Sequence, residues 1–250
     1  MNTMSESRAE ARMSAPADSP PAPARKVLVW DAPVRLFHWL MVFSFAGAYL
    51  TAESERWRLL HVSLGYTMAG LVVFRIVWGL LGTRHARFTD FVRGPAAIAR
   101  YLGAMLRGQH VRHVGHNPLG ALAIVALLGL TLAIAGTGWA VFGDVGGEWL
   151  EEAHELAANT MLAVIGLHIV GVLLASRVGR ENLIGAMITG RKVGRPEDGV
   201  RSAWHSVAVL MLVAVLGFWW LQWQARPAPG GLTGKTPSSL SSHAEQDDDR

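Results

Sequence analysis

The 250-residue chain contains no cysteine, and only 17% of its residues are charged. Without cysteine there is no disulfide, no thiolate-held iron–sulfur cluster and no C-x-x-C-H attachment of a covalent haem. Any redox group is therefore held non-covalently. Charge is scarce because five stretches almost exclude it: 34–52, 60–82, 119–142, 154–176 and 204–223. Each is long and apolar enough to cross a hydrocarbon core of roughly 30 Å. The first 25 residues have no apolar run, so they read as a disordered tail and not as a cleaved signal peptide.

The net charge of +4 would suit nucleic acid only if the basic residues formed one patch, and they do not. Arg84, Arg87, Arg93, Arg100, Arg107 and Arg112 lie between the second and third spans. Arg177, Arg180, Arg191, Lys192, Arg195 and Arg201 lie between the fourth and fifth. The loop "GDVGGEWLEEA" between the third and fourth has no Lys or Arg and carries Asp144, Glu148, Glu151 and Glu152. The positive-inside rule then puts the N-terminus in the cytoplasm and the C-terminus outside, with Arg56 and Arg58 in the first external turn dissenting. The expectation is a multi-pass protein of a bacterial cytoplasmic (inner) membrane, with no nucleic-acid partner.

Between the second and third spans, "GPAAIARYLGAMLRG" puts Ala97, Ile98, Tyr101, Leu102, Met105 and Leu106 on one face of a short helix, lying in the membrane interface or packed on the bundle. The fifth span is an anchor ending in Trp219, Trp220 and Trp223, residues suited to the headgroup belt.

Six of the ten histidines, His85, His110, His113, His116, His205 and His243, fall in loops, span ends or tail and need no special account. The other four, His38, His61, His154 and His168, lie within spans, where a polar group is costly unless it is paired. His154 and His168 are fourteen residues apart, so they stand about 21 Å from each other along the helix axis, within about 40° of one face. With alternating topology, His38 reaches the depth of His168 and His61 that of His154. Two cross-helix pairs result, one in each leaflet.

Two imidazoles facing one another with no carboxylate or thiolate beside them suit a flat cofactor that brings four equatorial ligands of its own, a bis-histidine haem. Zinc or copper would need more protein ligands at each level. Arg75 follows His61 by fourteen residues and so lies at the inner level. It reads either as a partner for a haem propionate or as a snorkelling cation, and Arg35, one turn before His38, has the same two readings.

Five motifs in order, "VWDAPVRLFHW", "LLHVSLGY" with "FRIVWGLLG", "GHNPLGAL", "AHELAANTMLAVIGLH" and "RENLIGAMITG", resemble the bacterial cytochrome b561 family of membrane dihaem cytochromes, most closely the b-type subunits of nickel–iron hydrogenases. The resemblance covers Val27 to Lys192. It implies a four-helix transmembrane bundle holding two non-covalent haem b groups, with a fifth transmembrane helix added here. Its matched ligands are His38 and His168 for the cytoplasmic-side iron and His61 and His154 for the periplasmic-side iron. The domains expected are a tail at 1–26, a dihaem domain at 27–192, a linker with the fifth helix at 193–225, and an external tail at 226–250.

The resemblance also implies electron transfer between the quinone pool, quinone being the substrate, and a periplasmic redox protein such as a c-type cytochrome or a hydrogenase subunit. The short external loops favour the smaller carrier. The chain reads as an oxidoreductase component with no acid, base or nucleophile of its own. Two alternatives stand: a self-sufficient quinone reductase oxidising a small molecule such as superoxide, and a non-redox transporter whose histidines form a proton or metal path.

Overall fold

Asp31 and Pro33 set the start of the first spanning helix. In the computed structural model, which describes residues 25–92, 94–107 and 115–225, the Asp31 carboxylate accepts from the Val34 N–H at 2.9 Å. Pro33 occupies the first turn, where its missing N–H costs nothing. This helix, α1, runs Ala32–Thr51. A tight turn at Glu55–Trp57 leads into α2, Arg58–Leu81. Two connecting helices follow, α3 (Phe88–Phe91) and α4 (Pro95–Leu106), the latter filling the segment where a short helix was expected.

Asn117 caps α5, Pro118–Phe142, by accepting from the Gly120 N–H at 2.6 Å. The fourth spanning helix, α6, runs Glu148–Gly179, starting well before the apolar run at 154. Glu148 and Glu151 in its first turn favour that earlier start, because acidic side chains complement the positive end of the helix dipole. A short α7, Leu183–Thr189, and the last spanning helix α8, His205–Gln224, complete the set. The tails expected at 1–26 and 226–250 lie outside the described residues, apart from Arg25 and Lys26.

Among the described residues five helices are thus long and apolar enough to cross a membrane, and the fold is an all-α membrane bundle. Side chains such as Phe43, Leu50, Leu80, Leu167 and Leu210 are exposed on its outside, as a lipid-facing surface requires. α2 packs on α1 and α5, α5 packs on α6, and α8 lies against α1 and the edge of α2. Among the described residues α6 follows α5 closely and hardly approaches the backbones of α1 and α2. Side chains span that separation, among them Tyr49, whose hydroxyl donates to Asn159 Oδ1 at 2.8 Å. In the middle, Phe45, Met68 and Met161 are buried together, with Met41, Leu127, Leu130, Ile134 and Ile165 packed around them.

One end of the bundle carries the basic loops and the other the acidic loop. The basic end holds a feature with no signature in the hydropathy pattern: β1 (Arg25–Leu28) pairs antiparallel with β2 (Arg191–Gly194), Leu28 opposite Arg191. β2 crosses the boundary expected at 192/193. Gly190 ends α7 at φ +79°, and its carbonyl accepts from the N–H groups of Val29 and Trp30 at 2.8 and 3.0 Å. A side chain there would come within 2.6 Å of the Trp30 carbonyl, so glycine is required. Asp31, 1% exposed, also accepts from Trp78 Nε1 at 3.1 Å and Thr83 Oγ1 at 2.6 Å. An ion pair between buried Lys192 and half-buried Glu181, at 3.1 Å, closes the same end.

α8 is tied to the bundle by more than lipid. Trp219 Nε1 donates to Thr67 Oγ1 at 2.9 Å, so the polar edge of Trp219 is bonded to α2. All three tryptophans of the group expected in the headgroup belt, Trp219, Trp220 and Trp223, are exposed, Trp219 the least.

Candidate functional site

Three helices each carry residues at intervals of seven, about two turns and about 10 Å apart, which keeps them on one face. On α6 these are His154, Met161 and His168; on α2, His61, Met68 and Arg75; on α1, His38 and Phe45. The central member of each series belongs to the buried Phe45–Met68–Met161 cluster. An apolar layer therefore separates a polar level near the acidic end from one near the basic end.

At the acidic-end level, His61 and His154 face each other edge to face, ring centroids 6.2 Å apart and planes inclined at 71°. His61 Nδ1 donates to the Ala48 carbonyl at 2.8 Å. His154 Nδ1 donates to the Ile134 carbonyl at 3.1 Å, with Thr137 Oγ1 at the same distance. A carbonyl can only accept, so each Nδ1 carries the proton and each Nε2 keeps its lone pair, the tautomer a metal ligand needs. Gly138 stands against His154, where a Cβ would lie 2.8 Å from its Cε1. A cleft of about 180 Å³ opens over the pair, and Ser54, Glu55, Arg58, Val141 and Phe142 also line it.

At the basic-end level stand His38 on α1 and His168 on α6, which make no ring contact like that of His61 and His154. His38 packs edge-on against Trp39 at 5.2 Å, and its Nδ1 is buried with no partner. Arg75, 3% exposed, lays its guanidinium over Phe88 at 4.9 Å and leaves Nη1 buried and unpartnered. Arg35 donates from Nη1 to the Ile188 carbonyl at 2.8 Å, while its Nε is buried and unpartnered. Part of its donor capacity is thus taken up by α7.

His116, assigned to the unremarkable loop histidines by sequence, belongs to this level instead. It lies against Trp30, with ring centroids 4.4 Å apart, and Phe91, 4.6 Å apart, and its Nδ1 is buried without a partner. Burial, then the charge of Arg75, then His85, Lys192 and His168, push its imidazole down to about 3. His85 lies beside Trp30 and donates from Nε2 to the Asp198 carbonyl at 2.7 Å. Burial of His116 depends on Trp30 and Phe91, which come from distant segments, so only "GHNPLG" in a family motif hinted at it.

The residues fit a planar anionic macrocycle at each level. An iron with an imidazole nitrogen at roughly 2 Å on either side sets ring centroids about 6 Å apart, as in the acidic-end pair. Among the described residues four buried nitrogens have no partner, on Arg35, His38, Arg75 and His116, all toward the basic end. Buried polar atoms are almost always bonded, and carboxylates at that level would accept from the two guanidinium groups. Among the described residues no three His, Cys, Asp or Glu side chains converge, so neither level offers a cage of protein ligands.

The model of the family described as prokaryotic cytochrome b561 matches residues 29–190. A probable Ni/Fe-hydrogenase B-type cytochrome subunit of Rhizobium leguminosarum bv. viciae is 25% identical over 70% of this chain and 92% of its own length. Its counterpart in Azotobacter chroococcum mcd 1 is 28% identical over 66% of this chain and 87% of its own. The probable Ni/Fe-hydrogenase 1 B-type cytochrome subunit of Escherichia coli K12 is 25% identical over 46% and 60%. No solved structure gives a significant match.

Proposed function

Because the chain belongs to the prokaryotic cytochrome b561 family, and is thus a membrane electron-transfer protein with haem b as its cofactor, we propose that it is a dihaem cytochrome passing electrons between the quinone pool and a periplasmic redox protein. The observation that carries this reading is the acidic-end pair, His61 and His154, whose Nε2 lone pairs are left for a metal by their carbonyl-bound Nδ1 atoms. His38 and His168 make the second pair, and the seven-residue series puts a site in each leaflet.

Haem b, when bound, supplies the one-electron chemistry. The chain's own residues hold and tune it. The carbonyls of Ala48 and Ile134 fix the imidazole tautomers and raise their basicity. Arg75 sets a positive charge at the basic-end level, which favours the reduced form there and gives propionate carboxylates a partner. Phe45, Met68 and Met161 keep water out of the layer between the levels, so that electrons cross it without protons.

By the positive-inside rule the basic end faces the cytoplasm of a bacterial inner membrane and the acidic end the periplasm. The acidic loop with Asp144, Glu148, Glu151 and Glu152 suits a partner with a cationic face. A c-type cytochrome meets that description, and a hydrogenase subunit is the partner that the relatives' names suggest. A test uses membranes containing the protein, oxidised and then supplied with duroquinol under argon. The α-band of reduced haem b should appear within seconds; no reduction by quinol, with full reduction by dithionite, contradicts the coupling to quinone.

A further inference from the structure

Arg58 sits on the side of the membrane where arginines are least expected, yet it has a place in the acidic-end site. It is the first residue of α2, where a cation stands unfavourably beside the positive end of the helix dipole. Its near neighbour Arg56 behaves as an ordinary interfacial cation, turned over the Trp57 ring at 5.4 Å. Arg58 instead lines the cleft that contains His61 and His154. Among the described residues it enters no ion pair, and Glu55 in the same cleft does not engage it. It lies three residues, about one turn, before His61, so its guanidinium reaches the cleft on the side that opens to water.

Resting on the haem reading of this cleft, we propose that Arg58 binds a propionate carboxylate of the acidic-end haem. α2 then supplies a cation to each level, Arg75 buried at one and Arg58 at the water-exposed mouth of the other. Three features converge on one ligand chemistry: an open cleft, two imidazoles with free lone pairs inside it, and an uncommitted guanidinium at its rim. A carboxylate held there gains a charge-assisted hydrogen bond, and the arginine raises the potential of the iron whose propionate it neutralises.

The experiment is a potentiometric titration of the purified full chain, with His61→Ala used to identify the step that belongs to the acidic-end haem. In Arg58→Gln that step should move to lower potential, the reduced-to-oxidised ratio at fixed potential falling roughly 2- to 5-fold, the span an exposed ion pair produces. The basic-end step should stay in place. Arg58→Lys should recover part of the shift, and Arg56→Gln should leave both steps unchanged. An acidic-end step that is the same in Arg58→Gln and wild type overturns the proposal, as does an equal shift in Arg56→Gln, which would mark a general surface-charge effect. If His61→Ala removes no step at all, the haem reading of the cleft fails, and the proposal with it.

Discussion

His61 and His154 stand 6.2 Å apart, centroid to centroid, across the separation between α2 and α6, each with its Nδ1 committed to a backbone carbonyl. Neither imidazole bonds the other: each Nδ1 is committed to a carbonyl of another helix, Ala48 on α1 and Ile134 on α5, and each Nε2 keeps its lone pair. Such a pair is preorganised for a guest between the rings, and its stability depends on the small residues that let the rings adopt that pose.

Gly138 is the most sensitive of these. Gly138→Ala puts a Cβ 2.8 Å from His154 Cε1, and the overpacking, costing about 1–3 kcal/mol, should rotate the imidazole off its carbonyl. Haem content should fall at the acidic-end level alone, read from the spectrum of the purified variant against a retained basic-end signal. Gly136→Ala, with nothing within 4 Å of its Cβ, should match wild type.

Arg75→Gln separates two effects of one charge. In haem-free protein the buried guanidinium has Nη1 unpartnered, so its removal should leave the melting temperature unchanged or raised. In haem-loaded protein the potential of the basic-end haem should fall, by about tenfold or more in the reduced-to-oxidised ratio, since a buried charge is screened less than an exposed one. Calorimetry on the first preparation and a redox titration on the second check the two signs.

Asp31 accepts three hydrogen bonds at 1% exposure. Asp31→Ala removes the cap of α1 and leaves Trp78 Nε1 and Thr83 Oγ1 without an acceptor. The cost should be about 3 kcal/mol or more, seen as a lower thermal midpoint by near-ultraviolet circular dichroism. Asp31→Asn retains one acceptor oxygen and should lose less.

His116 gives stability a pH dependence whose sign is fixed. Burial first, and Arg75 next, hold its folded pKa at about 3, against the ordinary 6.5. Between those values the unfolded chain binds a proton that the folded chain does not, so stability rises with pH in that range. The contribution is complete above about 6.5 and is lost as pH falls toward about 3. The charged and titratable groups acting on the ring are Arg75, His85, Lys192 and His168. In His116→Phe the drop in thermal midpoint from pH 7 to pH 4 should be smaller than in wild type.

The spans and the depth of each in-span histidine were legible because a lipid-facing helix must be apolar along its length, so such an imidazole stands out and helical rise converts its position into depth. The pattern could not reveal contacts made by chain segments that are remote in sequence. His116 is buried by Trp30 and Phe91, Trp219 is bonded to Thr67, and Arg35 is held by the Ile188 carbonyl. β1 and β2 escaped because Arg25–Leu28 and Arg191–Gly194 are four residues each, too short for alternation to register. Arg58 is an exception to the charge rule in the sequence, and the cleft it lines exists only where separate helices meet.

The central claim is that α6 carries one ligand for each of two haems. The most direct measurement is pyridine haemochrome content per chain in the purified full-length protein and in His168→Ala. Wild type should contain two haem b and His168→Ala one, with His38→Ala losing the same spectral component and His61→Ala the other. Fewer than two in wild type, or two retained in His168→Ala, would contradict the account.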